Sequence, residues 1–222
     1  MDEAMARWND EMFLKHPTPY GRGIAARIEF ARVRTVVRLA DVKPQDRVLD
    51  VGCGAGHVIV ALPACRRRVG LDISPKSLEA ARARAAQRGQ EGIEFGHFDA
   101  NDPLPYPEGS FDVIICSEVL EHVPEPRNLV ENIHRVAGPA TRVVVTVPNE
   151  RPKLLIKRVL KALGLMRILF PGIEVGPSEG HLHNFSKRML VELVSDLFRV
   201  ERLRSVRGCH FAARLRKRQA GV

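Results

Sequence analysis

A mostly parallel, doubly wound α/β sheet of seven strands, closed by an antiparallel C-terminal hairpin, is the fold this sequence predicts. Three observations predict it. Between residues 47 and 147 short apolar runs alternate with helical patterns, as in strands joined by crossover helices. The run Arg47–Val51 passes directly into a turn with glycines at Gly52, Gly54 and Gly56. Near the end of the chain two strand-like runs are separated only by Arg207-Gly208, which predicts a hairpin.

The elements follow in order. Apolar residues recur at helical spacing from Ile24 to Leu39, with arginines at 27, 32, 34 and 38 between them. The preceding His16-Pro17-Thr18-Pro19 breaks any helix. Residues 1–45 are thus expected to form an N-terminal helical cap, and residues 46–222 the main domain. Strand 1 is Arg47–Val51, and a short helix starts at Gly56 and stops at Pro63. Strand 2, Arg68–Ile73, contains Asp72. Ser74-Pro75 then supplies an N-cap and a proline at the first helical position, opening a helix to about Arg88. Strand 3 is Ile93–Gly96, strand 4 Phe111–Cys116 and strand 5 Arg142–Val147. A helix at Pro126–Ala137 lies between the last two and is stopped by Gly138-Pro139. Ser186 caps a further helix to Leu197, and Arg199–Val206 and Cys209–Leu215 form the hairpin.

Composition bounds the function. The 222 residues are 45% hydrophobic and 27% charged, enough for one sizeable core. No run of about 18 apolar residues offers a membrane span. The start, Met1-Asp2-Glu3-Ala4, has no apolar signal region, and the scattered cysteines (53, 65, 116, 209) form no CxxC pair. A reducing, cytoplasmic setting is the expectation. Net charge is +9. That suits an anionic partner, and equally suits a chain that uses arginine in place of lysine.

The glycine turn has a chemical meaning. Glycines without Cβ atoms let a ligand approach the backbone, and a following helix aims its free N–H groups at it. A dinucleotide fingerprint needs G-x-G-x-x-G, but here the third glycine comes one residue early and His57 stands in its place, which counts against NAD. A phosphate loop would need Gly-Lys-Ser/Thr, which is absent. Asp72, 20 residues past Gly52, stands where an acid accepts ribose hydroxyls, and Asp99 follows strand 3, where a short acceptor can meet an adenine amino group. The ligand implied carries ribose and adenine and needs no phosphate.

Val48–Gly56, Gly70-Leu71-Asp72, Phe98-Asp99-Ala100 and Phe111–Cys116 together resemble the successive motifs of class I S-adenosylmethionine-dependent methyltransferases. They are most similar to the type 11 branch that includes the ubiquinone- and menaquinone-pathway enzymes. The resemblance covers about residues 45–150 and implies a Rossmann-like fold with S-adenosyl-L-methionine as cofactor. Carried over by position, it implies that Asp50, Gly52, Gly54 and Gly56 shape the pocket for the methionine part. Asp72 would hold the ribose, with Ile73 flanking the adenine. Asp99, with Ala100 beside it, would bond the adenine amino group, and Ser117 would face the sulfonium.

Acceptor chemistry is read from two stretches. Ser117-Glu118-Val119-Leu120-Glu121-His122 offers two carboxylates and an imidazole, and Gly180-His181-Leu182-His183 two more imidazoles. Glu121, His122 and His183 are the candidate catalytic residues. One alternative is a histidine base. Another is a divalent metal held by Glu118, Glu121 and His122 with His183 or His181, a set resembling that of small-RNA 2′-O-methyltransferases and some quinone-pathway enzymes. A third is an orienting role. The insert at about 151–180 is basic and amphipathic; over 151–172 it suits an anionic membrane surface, a substrate lid or a solvated helix. The expected activity is O-methylation of a small or lipid-like acceptor. RNA methylation is the rival that the charge encourages, and the scarcity of aromatics (5%) discourages it. A non-catalytic cofactor-binding protein is the rival from another class.

Overall fold

The computed structural model describes residues 24–149 and 181–218. The readings made for residues 1–23 and for the basic insert fall outside the described residues. Seven strands form one sheet in the order β3-β2-β1-β4-β5-β7-β6. They are β1 Arg47–Val51, β2 Arg67–Asp72, β3 Ile93–His97, β4 Val113–Ser117, β5 Arg142–Pro148, β6 Phe198–Val206 and β7 His210–Lys217. The first five pair in parallel, and β7 lies antiparallel to both β5 and β6. The predicted hairpin is present. Its turn residues Arg207 and Gly208 both have positive φ (48° and 73°), the handedness that two-residue hairpin loops require.

Helices cover both faces. On one side α1 (Ile24–Ala40) lays Val33, Val36, Leu39 and Ala40 against Val48, Val113, Ile115 and Val144. On the other, α3 (Pro126–Val136) and α4 (Lys187–Val194) pack Leu129, Ile133 and Leu190 against Leu49, Ile114 and Val145. The central strands are buried on both faces, which is why they read as nearly unbroken apolar runs. The helix expected at the N-terminus is thus one layer of the core itself, joined to the sheet by burial. Helix α2 (Pro75–Gln87) begins as the sequence predicts, with Ser74 Oγ accepting from the Ser77 N–H at 3.0 Å.

Several boundaries differ from expectation by a few residues, and two of the differences have identifiable reasons. The helix after Gly56 is only a 3-10 turn, Ile59–Ala61, because six residues between glycine and Pro63 leave no room for a second turn. Strand β4 starts at Val113 rather than Phe111. There the Asp112 carboxylate turns back to accept from the Arg47 N–H (2.8 Å) and guanidinium (3.0 Å), and Phe111 enters the core.

Candidate active site

The strand order reverses between β1 and β4, and at such a switch point the loops leaving the two strands diverge and open a crevice. The cleft found there is lined by Gly52, Gly54, Asp72, Ile73, Asp99 and Ala100 on one side, and by Glu118, Val119, His122 and Val123 on the other. Six of the nine positions expected at a cofactor therefore share one wall.

Each is placed by local chemistry. Gly52, Gly54 and Gly56 all have positive φ, at 69°, 51° and 76°. A Cβ on Gly54 would have no atom within 4 Å, so it opens directly onto the cleft. The two oxygens of Asp72 accept from the N–H groups of Gly54 (2.7 Å) and Ser74 (2.9 Å), which ties the glycine loop to the start of α2. Asp99 Oδ1 accepts from the backbone and side-chain amides of Asn101, at 2.9 and 2.8 Å. His57, where a dinucleotide loop would carry glycine, has Nε2 3.2 Å from the Arg84 guanidinium, which also donates to the Ala55 carbonyl at 2.8 Å. Burial and the Arg84 charge lower its pKa to about 3, leaving a neutral acceptor that clamps the loop to α2.

Three expected positions lie off the wall. A Cβ on Gly56 would come within 3.1 Å of Ala81, so this glycine serves close loop-to-helix packing. Ser117 is buried, taking a bond from Arg32 at 2.6 Å and meeting the Thr146 hydroxyl at 2.8 Å, and it is Glu118 that reaches the cleft. Asp50 lies fully buried below the loop, on the sheet face that looks toward α1. Burial above all, with the nearby Asp72 charge, raises its pKa to about 7 although Arg32 opposes the shift. A carboxyl raised in the folded state stabilises fully below the ordinary carboxylate range, and that stability is lost as pH rises through about 7. Replacing Asp50 by Asn is therefore expected to flatten stability between pH 4 and 7 and to leave the variant more stable than wild type at pH 8. Urea unfolding at pH 5 and pH 8 checks this; equal slopes for the two proteins would show that Asp50 is ionised at both.

On the acceptor side the chain after β4 returns under itself. The N–H groups of Leu182 and His183 donate to the Glu121 carbonyl at 2.8 and 3.3 Å, bringing the two histidine-bearing stretches together. Glu121, fully buried, His122 and His181 place donor atoms within 4.8 Å of one another, with the imidazoles 4.9 Å apart edge to face. His183 points elsewhere: its Nε2 lies 3.1 Å from the carbonyls of both Val123 and Pro124 and fastens the loop. Glu118 is likewise outside the trio, 3.3 Å from His210. Of the residues singled out from the sequence, the fold assembles Glu121, His122 and His181.

Fold and cleft together define a class of protein, and the chain belongs to it: residues 42–170 match the family described as methyltransferase domain, which makes this a member of the S-adenosylmethionine-dependent methyltransferases. Among its relatives is the ubiquinone biosynthesis O-methyltransferase of Aromatoleum aromaticum, 33% identical over 124 residues, 55% of this chain and 53% of that protein. The protein of the same name from Neisseria meningitidis serogroup A is 35% identical over 130 residues, 57% of this chain and 54% of the other. The matches thus span about half the length of these curated relatives. A solved structure of magnesium protoporphyrin IX methyltransferase from Synechocystis, with bound SAH, superposes with a TM-score of 0.70 at 24% identity, covering 98% of this chain and all of that one. The cyclase SpnF superposes at 0.65 with 19% identity over 87% and 81% of the two chains. At such identities the likeness speaks for the fold alone.

Proposed function

We propose that this protein transfers a methyl group from S-adenosylmethionine to an oxygen of a small or lipid-like acceptor. The observation that carries the proposal is that one cleft is lined both by Gly52, Gly54, Asp72 and Asp99 and by His122, the member of the Glu121–His122–His181 cluster that reaches it. Gly54 leaves the space a Cβ would fill, and Asp72 and Asp99 present carboxylates at the ends of β2 and β3, so the residues suit a ribose and an adenine. The bound cofactor supplies an already activated methyl group.

What remains for the chain is to align the acceptor and remove its proton. His122 stands on the cleft wall with its Nε2 4.0 Å from Glu121 Oε1. In that position its imidazole takes the proton of an acceptor hydroxyl, and the Glu121 carboxylate stabilises the imidazolium that results. Hydroxyl acceptors need such a base more than amines do, which is why oxygen is favoured. The relatives named as O-methyltransferases support the same choice.

The same three donors suit a second reading, in which they hold a divalent cation. One carboxylate and two imidazoles are ligands that zinc and related ions accept, with a fourth position left for the acceptor. There the ion would lower the pKa of the acceptor hydroxyl. Product identification with labelled cofactor and a cell extract tests the proposal, and a methylated nitrogen or carbon product would refute O-methylation. Under the histidine-base reading, exhaustive chelation is expected to leave turnover unchanged while His122→Asn lowers kcat by about 100-fold or more. Loss of turnover on chelation, restored by added metal, would select the cation instead.

No helix among the described residues is long and apolar enough to cross a membrane. Contact of segment 151–172 with an anionic surface is part of the proposal. It is supported by six basic residues and no acid between Arg151 and Arg167.

A further inference from the structure

Below the acceptor wall a closed ring of six side chains joins the N-terminal helix to the cleft. Arg32 of α1 donates to Ser117 Oγ (2.6 Å), which leaves the Ser117 hydroxyl hydrogen for Thr146 Oγ1, 2.8 Å away. Thr146 in turn donates to Glu118 Oε1 at 2.8 Å. The other Glu118 oxygen lies 3.3 Å from His210 Nε2, the same nitrogen lies 3.4 Å from Glu29 Oε1, and Glu29 returns to Arg32 Nε at 2.9 Å. The ring draws on α1, the ends of β4 and β5, and the start of β7. Of its members only Glu118 lines the cleft.

Glu118 is also where the backbone is strained. Its φ of +61° is left-handed, in a residue type that gains nothing from that region. Such a conformation costs on the order of 1–3 kcal/mol and persists only where the surroundings over-determine it. Here they do: its N–H donates to the Thr146 carbonyl at 3.1 Å, and both carboxylate oxygens are held. The turn it makes brings Val119 onto Gly52 and His122 onto the wall.

We propose that Glu29, Arg32 and His210 are positioning residues that fix the left-handed turn at Glu118, so that docking of α1 sets the affinity of the cleft for its cofactor. The proposal rests on the reading of the cleft as an S-adenosylmethionine site. One imidazole nitrogen between two carboxylates needs its proton. Burial works against that charge, yet the bonds to Glu118 and Glu29 outweigh it and raise the His210 pKa to about 9. Among the described residues, the charged groups facing His210 are Glu29, with Arg32 behind it, from α1, and Glu118 from the end of β4; Thr146 of β5 is neutral.

Calorimetric titration with S-adenosylhomocysteine, alongside thermal melts, tests the ring. Glu29→Gln touches no cleft residue, yet it is expected to weaken binding by about tenfold, as His210→Gln is. The double variant is expected to be no weaker than His210→Gln alone, because both break the same ring. Between pH 8 and 10 the wild type is expected to lose about tenfold more affinity than His210→Gln, since titration of the ligand's amine is common to both. A merely structural role would lower melting temperatures and leave the affinity of the folded variants and its pH profile unchanged. Folded variants that bind within twofold of wild type would overturn the ring, and if His210→Gln does not fold, Glu29→Gln decides alone. Wild-type protein that binds no S-adenosylhomocysteine would sink the cofactor reading, and this proposal with it.

Discussion

Replacing Gly52 by alanine is expected to abolish cofactor binding and to cost about 2–4 kcal/mol of stability. Two effects add at this position. The backbone has φ +69°, where an L-residue with a Cβ is strained, and the new methyl would stand 2.3 Å from Val119 Cγ2 and 3.3 Å from Cγ1. Val119 cannot readily turn aside, since a β-branched side chain that is only 9% exposed has few alternative rotamers. The double change Gly52→Ala with Val119→Ala is therefore expected to recover the steric part and leave the backbone part. Gly54→Ala is the instructive control. With φ +51° and open space around its Cβ, it keeps the fold at a cost of about 1 kcal/mol, but puts a methyl into the cleft. Urea unfolding and titration with S-adenosylhomocysteine separate the two cases. Equal stability losses for the two variants would show that the contact with Val119 is not what demands glycine at position 52.

Asp72→Asn is expected to reduce affinity for S-adenosylhomocysteine by about 100- to 1000-fold, equivalent to roughly 3–4 kcal/mol. The carboxylate accepts two backbone N–H groups, from Gly54 and Ser74, with a different oxygen for each. An amide has only one acceptor oxygen. Whichever way it turns, its NH2 faces a backbone donor, and either the glycine loop or the start of α2 is released. In the proposed site the same oxygens also receive ribose hydroxyls, so loop order and ligand contact are lost together. Calorimetry measures this directly. An affinity within a few-fold of wild type would show that Asp72 supports the loop without touching the ligand.

Much of the fold was legible because it rests on local rules. Ser74-Pro75 announces a helix start by itself, since the cap and the fixed φ of proline act within one turn. Arg207-Gly208 announces a hairpin because both residues must take positive φ. That Gly52, Gly54, Asp72 and Asp99 would share one cleft wall was legible for a related reason. These positions follow the ends of parallel neighbouring strands, and such a sheet brings its strand ends to one edge. Spacing along the chain therefore stood in for distance in space.

The acceptor wall was not legible in that way. Residues 118, 121 and 122 suggested one ligand set, yet Glu118 turns to His210, 92 residues away in sequence, while Glu121 and His122 meet His181. A single left-handed residue separates those two fates, and no sequence pattern predicts φ +61° at a glutamate. Ser117 was displaced from the cleft for a similar reason: in β4 successive side chains alternate faces, and its face meets Arg32 of α1. That pairing depends on how a helix docks across several strands of the sheet.

By itself, then, the sequence determined the doubly wound sheet, the glycine turn and the gathering of Gly52, Gly54, Asp72 and Asp99 at one cleft, because these follow from periodicity, capping and the placement of strand ends. Only the tertiary structure decided which carboxylate and which histidine stand together. Glu118 meets His210, 92 residues on, and Glu121 comes within reach of His181, 60 residues on, and a buried charge settles on whichever opposite charge the packing brings near.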